Sequence, residues 1–514
     1  MSNEPEDRTP GDSPRTPSSS SGSTGGRQRV LIAVVGLMVI GVLIGWLLGP
    51  KHQQLGDQVA GDQALADKVK SAIDADDGYR SLVVVEFTAE DATWTGLGSP
   101  YGVLDGPPPT EATPYELGSI NKTFTAALYQ EAIDDGEVSP DDKLEQYLPE
   151  LAGTPAGGVT LESLAQHTSG LPSLTTETAV GSLPLLLTNG NVYEGTTYDR
   201  EIDRTKRTPL QTPGEFFYSN LGVSLLGHAL ANAAGAPDWS TLVEQRVFTP
   251  LGMEHTTPAP AEADIPELAA IGHHTNGLRA PRWSGDFYLP AGVSTFTTAA
   301  DMTAWGQALL AGTAPGMAAL EPTLELPGGD SVGRVWRVTE GNGSTITFHN
   351  GGTGGFRTML ALDREAGRGV LVMGNTSRWV DALGLRLATS DGDQVPENPQ
   401  TGRDSAASHW VMYGIAALLL GWSLLTAIRS KHRLGLVGGA FVMIAGLVLG
   451  WTQGPWVVVG GWAYGFLLGL ALIIGALTVR RWESLPTRPE KWVVPAALLV
   501  VLNSLIAGAA FLSF

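Results

Sequence analysis

Ser119-Ile120-Asn121-Lys122 is the stretch on which the reading of this chain turns. A serine stands one helical turn ahead of a lysine, inside a pattern that predicts a helix over Ser119–Asp135. Residues three apart share a helix face, so hydroxyl and amine can meet. A lysine buried beside a serine tends to lose its proton, because desolvation disfavours the ammonium. The neutral amine can then take the proton of an attacking hydroxyl. No other lysine here has a serine three positions before it. Ile120, Phe124, Ala127 and Leu128 form an apolar stripe of helical period, and Gly136 supplies a stop. Gly118, just before Ser119, allows a tight turn that would leave the Ser119 N–H pointing outward. Unpaired N–H groups and partial positive charge at a helix start suit a developing oxyanion. Taken alone, Ser and Lys at this spacing also occur on solvated helices.

Two later triplets narrow the choice. Tyr218-Ser219-Asn220, the only Tyr-x-Asn, follows Pro213-Gly214 and precedes the apolar run Leu221–Leu230. His349-Asn350-Gly351, the only His-x-Gly, follows a strand-like stretch over Ser344–Phe348. In this order the three motifs resemble the serine β-lactamase and penicillin-binding superfamily, in the branch of class C β-lactamases, D-alanyl-D-alanine carboxypeptidases and related esterases. Class A relatives carry Ser-Asp-Asn and Lys-Thr-Gly at the later positions, which this chain does not. The resemblance runs from about Leu65 to Thr389. It includes Tyr115-Glu116-Leu117-Gly118, Tyr147-Leu148-Pro149-Glu150, His167-Thr168-Ser169-Gly170-Leu171-Pro172, Pro250-Leu251-Gly252-Met253 and Leu289-Pro290-Ala291-Gly292.

The resemblance implies an α/β (α+β) β-lactamase/transpeptidase-like fold, with an antiparallel sheet flanked by helices, a mostly helical lobe, and the active site between them. It implies that Ser119 forms an acyl-enzyme, that Lys122 holds or accepts its proton, and that Tyr218 shares base duty and protonates the leaving group. Asn220 would bond a substrate amide or hold Lys122. His349 would face the pocket, and the N–H groups of Ser119 and Gly352 would form the oxyanion hole. Gly351 and Gly352, within the glycine run to Gly355, let backbone approach a substrate closely. Which of Lys122 and Tyr218 is the main base stays open. Histidine at the first position of the third triplet, where class C β-lactamases carry lysine, is mostly neutral at pH 7. It argues against efficient β-lactamase action and leaves a D-alanyl peptide, another D-amino-acid amide, or an ester as substrate. His167 and Ser169 read as a turn. His273-His274 lack partners at ligand spacing, so no metal and no cofactor are assigned. There is no Gly-x-Ser-x-Gly elbow.

Around this region the sequence places a membrane protein. Residues 1–29 read as a disordered cytoplasmic tail, and Val30–Gly49 as a transmembrane helix, about 20 residues being enough to span a bilayer core. A cleaved signal peptide competes, but Pro50-Lys51-His52-Gln53-Gln54 follows in place of small-x-small. Residues 50–64 and 391–408 read as linkers around a hydrolase domain at 65–390. Residues 409–514 read as four more spans, near Trp410–Ile428, Leu434–Trp451, Trp456–Val479 and Trp492–Phe514. Arg27 and Arg29, Arg429 to Arg433, and Arg480 to Lys491 all fall inside if the N-terminus is cytoplasmic and the catalytic domain and C-terminus lie outside. Trp410, Trp451, Trp456 and Trp492 are placed as interfacial anchors. The spans hold no ionisable residue, which argues for an anchor over a transporter. Gly435, Gly438, Gly439, Gly465, Gly469 and Gly475 allow close helix packing.

The 514 residues include no cysteine, which removes disulfides and thiol chemistry, and the net charge of −20 disfavours nucleic acid as a partner. The expected partners are a small peptide, amide or ester substrate, with peptidoglycan among its sources, and membrane lipid. A partner for the C-terminal helices is not specified. Besides a membrane-tethered hydrolase, two further classes fit: a slowly acylated sensor, and a non-catalytic wall-binding protein.

Overall fold

The computed structural model describes residues 22–389 apart from 51–53, 74–77, 102–105, 189, 275–276, 328 and 342–343, and residues 406–486 apart from 455 and 457–458. The expected tail over 1–21, most of the second linker and the span at Trp492–Phe514 lie outside these residues.

The main sheet is built from strands with a period of two. β1 (Val59–Gly61), β2 (Ser81–Thr88) and β3 (Ala92–Gly98) form one edge. β7 (Leu324–Glu325), β8 (Ser331–Val332), β9 (Arg337–Gly341), β10 (Ser344–Gly352), β11 (Arg357–Asp363) and β12 (Arg368–Gly374) complete it. The order is β1-β3-β2-β12-β11-β10-β9-β8-β7, antiparallel throughout. Alternation sorts the side chains to two faces. Val83, Val85, Phe87, Leu360, Leu362, Leu371 and Met373 enter the larger core. Leu82, Val84, Met359, Ala361, Val370 and Val372 enter a smaller one. The smaller core is closed by α2 (Gln63–Ala72) and α11 (Asp381–Ala388). β2 is therefore buried on both faces and reads as a continuous apolar run.

The larger core belongs to the helical lobe. It comprises α3 (Lys122–Asp134), α4 (Leu161–Ala165), α5 (Thr176–Thr188), α6 (Tyr198–Thr205), α7 (Asn220–Ala234), α8 (Trp239–Val243), α9 (Thr249–Leu251) and α10 (Ala299–Ala311). A second sheet, β4 (Tyr115–Glu116), β6 (Thr295–Thr297) and β5 (Thr257–Pro258) in that order, delivers the chain to the start of α3. This is the expected β-lactamase/transpeptidase-like architecture.

Two boundaries differ from expectation where the site is built. The helix predicted over Ser119–Asp135 opens as a 3-10 turn, Gly118–Asn121, before α3 begins at Lys122. The strand predicted to end at Phe348 continues through His349-Asn350-Gly351-Gly352, paired to β11 as far as Gly352 opposite Arg357. Asn-Gly-Gly reads locally as a turn; ladder pairing overrides it.

Four described helices have the length and apolarity to cross a membrane. They belong to α1 (Gly22–Leu48), α12 (Ala406–Arg429), α13 (Arg433–Gln453) and α14 (Trp462–Trp482). α1 begins at Gly22, so the last part of the expected disordered tail is helical. Propagating an existing helix fixes one residue per hydrogen bond gained, without a new nucleus. α14 begins at Trp462 rather than Trp456. Trp456 is fully buried, packs edge-on to Tyr413 and Tyr464, and donates its indole N–H to the Trp451 carbonyl at 2.8 Å. It fills the end of the bundle and is no interfacial anchor. α1 packs on α14: a Cβ on Gly41 would lie 2.2 Å from the Gly469 nitrogen, and one on Gly45 2.4 Å from that of Gly465. Gly475 meets nothing and takes no part in such packing.

Candidate active site

The α3 face next to Ser119 is fixed by one turn of chain, Leu289-Pro290-Ala291. Three side chains of the helix start bind its carbonyls. Asn121 donates to Leu289 O at 2.8 Å, Lys122 to Ala291 O at 2.6 Å and Thr125 to Pro290 O at 2.8 Å. Lys122 Nζ also donates to Ser119 Oγ at 2.8 Å. Lys122 is fully buried, and burial lowers its pKa well below the ordinary lysine value.

Tyr218 comes from the residues before α7. Its phenol oxygen is hydrogen-bonded to the Ser119 side chain, and burial raises its pKa in spite of that bond. Lys122 Nζ lies 4.9 Å from the centre of the Tyr218 ring. Hydroxyl, amine and phenol thus meet at one point.

The stretch His167–Ser173 holds Tyr218 there. His167 O accepts from Phe217 N at 2.7 Å and His167 Nδ1 from Ser219 N at 3.2 Å. Ser219 Oγ caps α7 by accepting from Gly222 N and donates to Pro172 O, both at 2.8 Å. Ser173 Oγ donates to Tyr218 O at 2.9 Å. The His167 ring, buried and at φ 60°, packs on the Tyr218 ring with centroids 4.5 Å apart. Because Nδ1 accepts, a neutral ring carries its proton on Nε2. His167, read from sequence as a turn residue, is indeed at a turn, but its ring backs the phenol. The signal was its six-residue motif, which spacing alone could not connect to Tyr218.

Asn220 does not hold Lys122; the Ala291 carbonyl does. Asn220 Nδ2 donates to Tyr193 Oη at 2.9 Å, and its Oδ1 is buried with no protein partner. Tyr193 was not singled out from sequence. It packs edge-on against Trp283, centroids 5.0 Å apart.

β10 supplies the opposite wall. Phe348 enters the smaller core and Asn350 Nδ2 donates to Asp381 of α11 at 2.5 Å. Alternation therefore turns His349 and Gly351 to the helical lobe. His349 is buried, its Nδ1 lies 2.7 Å from Asn350 O, and desolvation together with the charge of Lys122 lowers its pKa to about 3. No hydrogen bond joins it to Tyr218 among those described. The glycine end of β10 runs against the serine turn. A Cβ on Gly118, which sits at φ 65°, would lie 2.7 Å from Gly352 N, and one on Gly351 3.2 Å from Ser119 N. Any side chain there would push the two backbones apart.

Glu116, just before this turn, belongs to the Tyr115–Gly118 stretch but was given no role from sequence, and it is a further buried group. Thr353 Oγ1 donates to its carboxylate at 3.0 Å, and burial raises its pKa to about 8. His273 and His274 are buried away from these residues, and no metal-holding group of three His, Asp or Glu occurs among the described residues.

A serine on the turn into a buried helix, bonded to the lysine three residues on, faced by a phenol and by the glycine end of a sheet strand, defines the penicillin-binding and serine β-lactamase class of architecture. The chain belongs to the beta-lactamase family, whose model matches residues 72–392. It is 30% identical over 285 residues to a D-alanyl-D-alanine-carboxypeptidase/endopeptidase of Escherichia coli, covering 50% of this chain and 69% of that one. It is 28% identical over 314 residues to a human putative beta-lactamase-like protein, covering 55% and 59% respectively. The chain spans 43% of a Pseudomonas fluorescens beta-lactamase to which it is also similar. Among solved structures, a class C beta-lactamase from Rhodobacter sphaeroides matches with TM-score 0.51 at 22% identity, over 62% of this chain and 95% of that one. A D-alanine carboxypeptidase from Burkholderia cenocepacia matches with TM-score 0.50 at 24% identity, over 60% and 95%. At those identities the likeness is one of fold.

Proposed function

We propose that this protein is a membrane-anchored serine hydrolase that acts outside the cytoplasmic membrane, through an acyl-enzyme on Ser119, on an amide or ester substrate. The observation that carries the reading is the shared Ser119 hydroxyl, bonded at 2.8 Å to a buried lysine and also to Tyr218.

Burial favours the neutral form of both Lys122 and Tyr218. A neutral amine is a ready base and a protonated phenol a ready acid, so the two roles separate. Lys122 takes the Ser119 proton as Oγ attacks the carbonyl carbon. The N–H groups of Ser119 and Gly352 receive the oxyanion, each such donor contributing about 3–4 kcal/mol to the barrier. Tyr218 gives its proton to the leaving amine or alkoxide as the bond to carbon breaks, and recovers one from the Lys122 ammonium. Water then enters, loses its proton to the same pair, and releases the acid. Asn220 Oδ1, buried and unpartnered, accepts from a substrate amide N–H.

Neutral His349 offers no charge to a β-lactam carboxylate, nor to the C-terminal carboxylate of a D-alanyl peptide, which on electrostatic grounds favours an ester or an uncharged amide. The carboxypeptidase relatives support a D-alanyl peptide. The test is a substrate screen of the purified protein with D-alanyl-D-alanine peptides, short-chain esters and a chromogenic β-lactam. The reading expects turnover of a peptide or ester with little β-lactam hydrolysis; fast β-lactam turnover alone would overturn the substrate assignment. The topology with N-terminus inside and catalytic domain outside is supported by the basic residues between the apolar helices.

A further inference from the structure

α5, a helix of the catalytic lobe, packs against an apolar helix of membrane length, α13. From Thr178 to Thr188 it carries no charged residue and includes Leu183-Pro184-Leu185-Leu186-Leu187. Its charged end is Glu177, paired with Arg207 at 3.0 Å. Val180 is 61% exposed with α13 in place. Val180, flanked by exposed Ala179 and Gly181, is uncovered apolar area on a water-facing domain, and the neighbour of this helix says what covers it: the lipid that surrounds α13 reaches α5 too.

The chain leaving α5 leads straight to the site. Asn191 donates to Ser284 O at 2.9 Å, Tyr193 packs on Trp283, and Tyr193 Oη accepts from Asn220. One wall of the active site is thus the continuation of the helix that touches the membrane bundle. We propose that α5 lies in the outer face of the bilayer and that the site takes an amphiphilic ester or amide whose apolar part stays in the leaflet while its carbonyl reaches Ser119. The substrate half of this rests on the hydrolase reading; the docking half does not.

The absence of cysteine makes the docking test direct. A Val180→Cys variant of the full chain, labelled with bimane and placed in phosphatidylcholine/phosphatidylglycerol nanodiscs, should be quenched by brominated lipid, whereas Asp135→Cys, in an exposed acidic turn, should not. Equal or absent quenching at both positions would overturn the docking, pointing instead to a second copy or another segment of this chain over α5. For the substrate, Val180→Asp should lower hydrolysis of p-nitrophenyl palmitate held in the nanodisc at least tenfold and leave soluble p-nitrophenyl acetate within twofold. Parallel changes in both rates, or none, would overturn leaflet access. If the unaltered protein cleaves neither ester and takes no fluorophosphonate adduct on Ser119 while Val180→Cys is quenched, the hydrolase reading fails and takes the substrate half with it.

Discussion

On the proposed mechanism Lys122 and Tyr218 share one hydroxyl and differ in duty, and this is where single substitutions speak most clearly. Lys122→Ala and Tyr218→Phe should each lower the acylation rate by about 10²–10⁴-fold, measured by stopped-flow with a chromogenic ester. Tyr218→Phe should lose more with a poor leaving group than with p-nitrophenolate, which departs without a proton; Lys122→Ala should lose equally with both. His167 acts on Tyr218 only through ring packing and the Ser219 N–H. His167→Ala should therefore reduce kcat about tenfold with KM nearly unchanged, and His167→Asn, which keeps an acceptor, should restore part of it. A fall in the number of sites titrated by a fluorophosphonate, in step with kcat, would mark general unfolding instead.

At the scale of elements, the site depends on how closely the serine turn and the end of β10 approach. Gly118→Ala places a methyl 2.7 Å from Gly352 N and forces φ 65° on a residue with a Cβ. The expected result is a loss of acylation of about 100-fold or more, with a folded protein by circular dichroism. The bond from Thr353 to Glu116 ties β4 to the residue after β10. The Glu116 pKa is raised from 4.5 to about 8, so the folded state holds this proton more tightly than the unfolded chain. That stabilisation is complete below about pH 4.5 and is lost as pH rises through about 8. Thermal melts should show Tm falling between pH 6 and pH 9, and Glu116→Gln should flatten that fall.

Much of this geometry was legible. The apolar run within Ser81–Thr88 and the Arg364–Gly367 turn between two further apolar runs are local signals of β2, β11 and β12. The serine–lysine pair was visible for the same reason. The course of β10 was not, since Asn350-Gly351-Gly352 has turn character that only pairing with β11 overrides. The hold of Leu289-Pro290-Ala291 on Lys122, and of His167–Ser173 on Tyr218, joins residues far apart in sequence through backbone carbonyls, which leave no residue signature. Asn220 was singled out for a bond to Lys122 or to substrate, but its Nδ2 meets Tyr193, an aromatic that local pattern cannot tell from core.

For the whole molecule, the N-terminal helix is part of the bundle. Gly41 and Gly45 of α1 meet Gly469 and Gly465 of α14 backbone to backbone, the close approach that small residues permit between membrane helices. Gly465→Leu should separate α1 from α14. That separation should lower the melting temperature of the detergent-solubilised protein while the catalytic domain keeps its activity; an unchanged melting temperature would contradict the contact. Trp456 shows the limit of composition here: a tryptophan at the end of an apolar run suggested the membrane interface, yet its indole found a partner inside the bundle.

The central claim is that Ser119 is an activated nucleophile. Intact-mass spectrometry of the purified protein after brief exposure to a fluorophosphonate tests it most directly. A single stoichiometric adduct, localised to Ser119 by peptide analysis, abolished in Ser119→Ala and slowed at least 100-fold in Lys122→Ala, is the predicted result. No adduct, or one that persists in Ser119→Ala, would contradict the account.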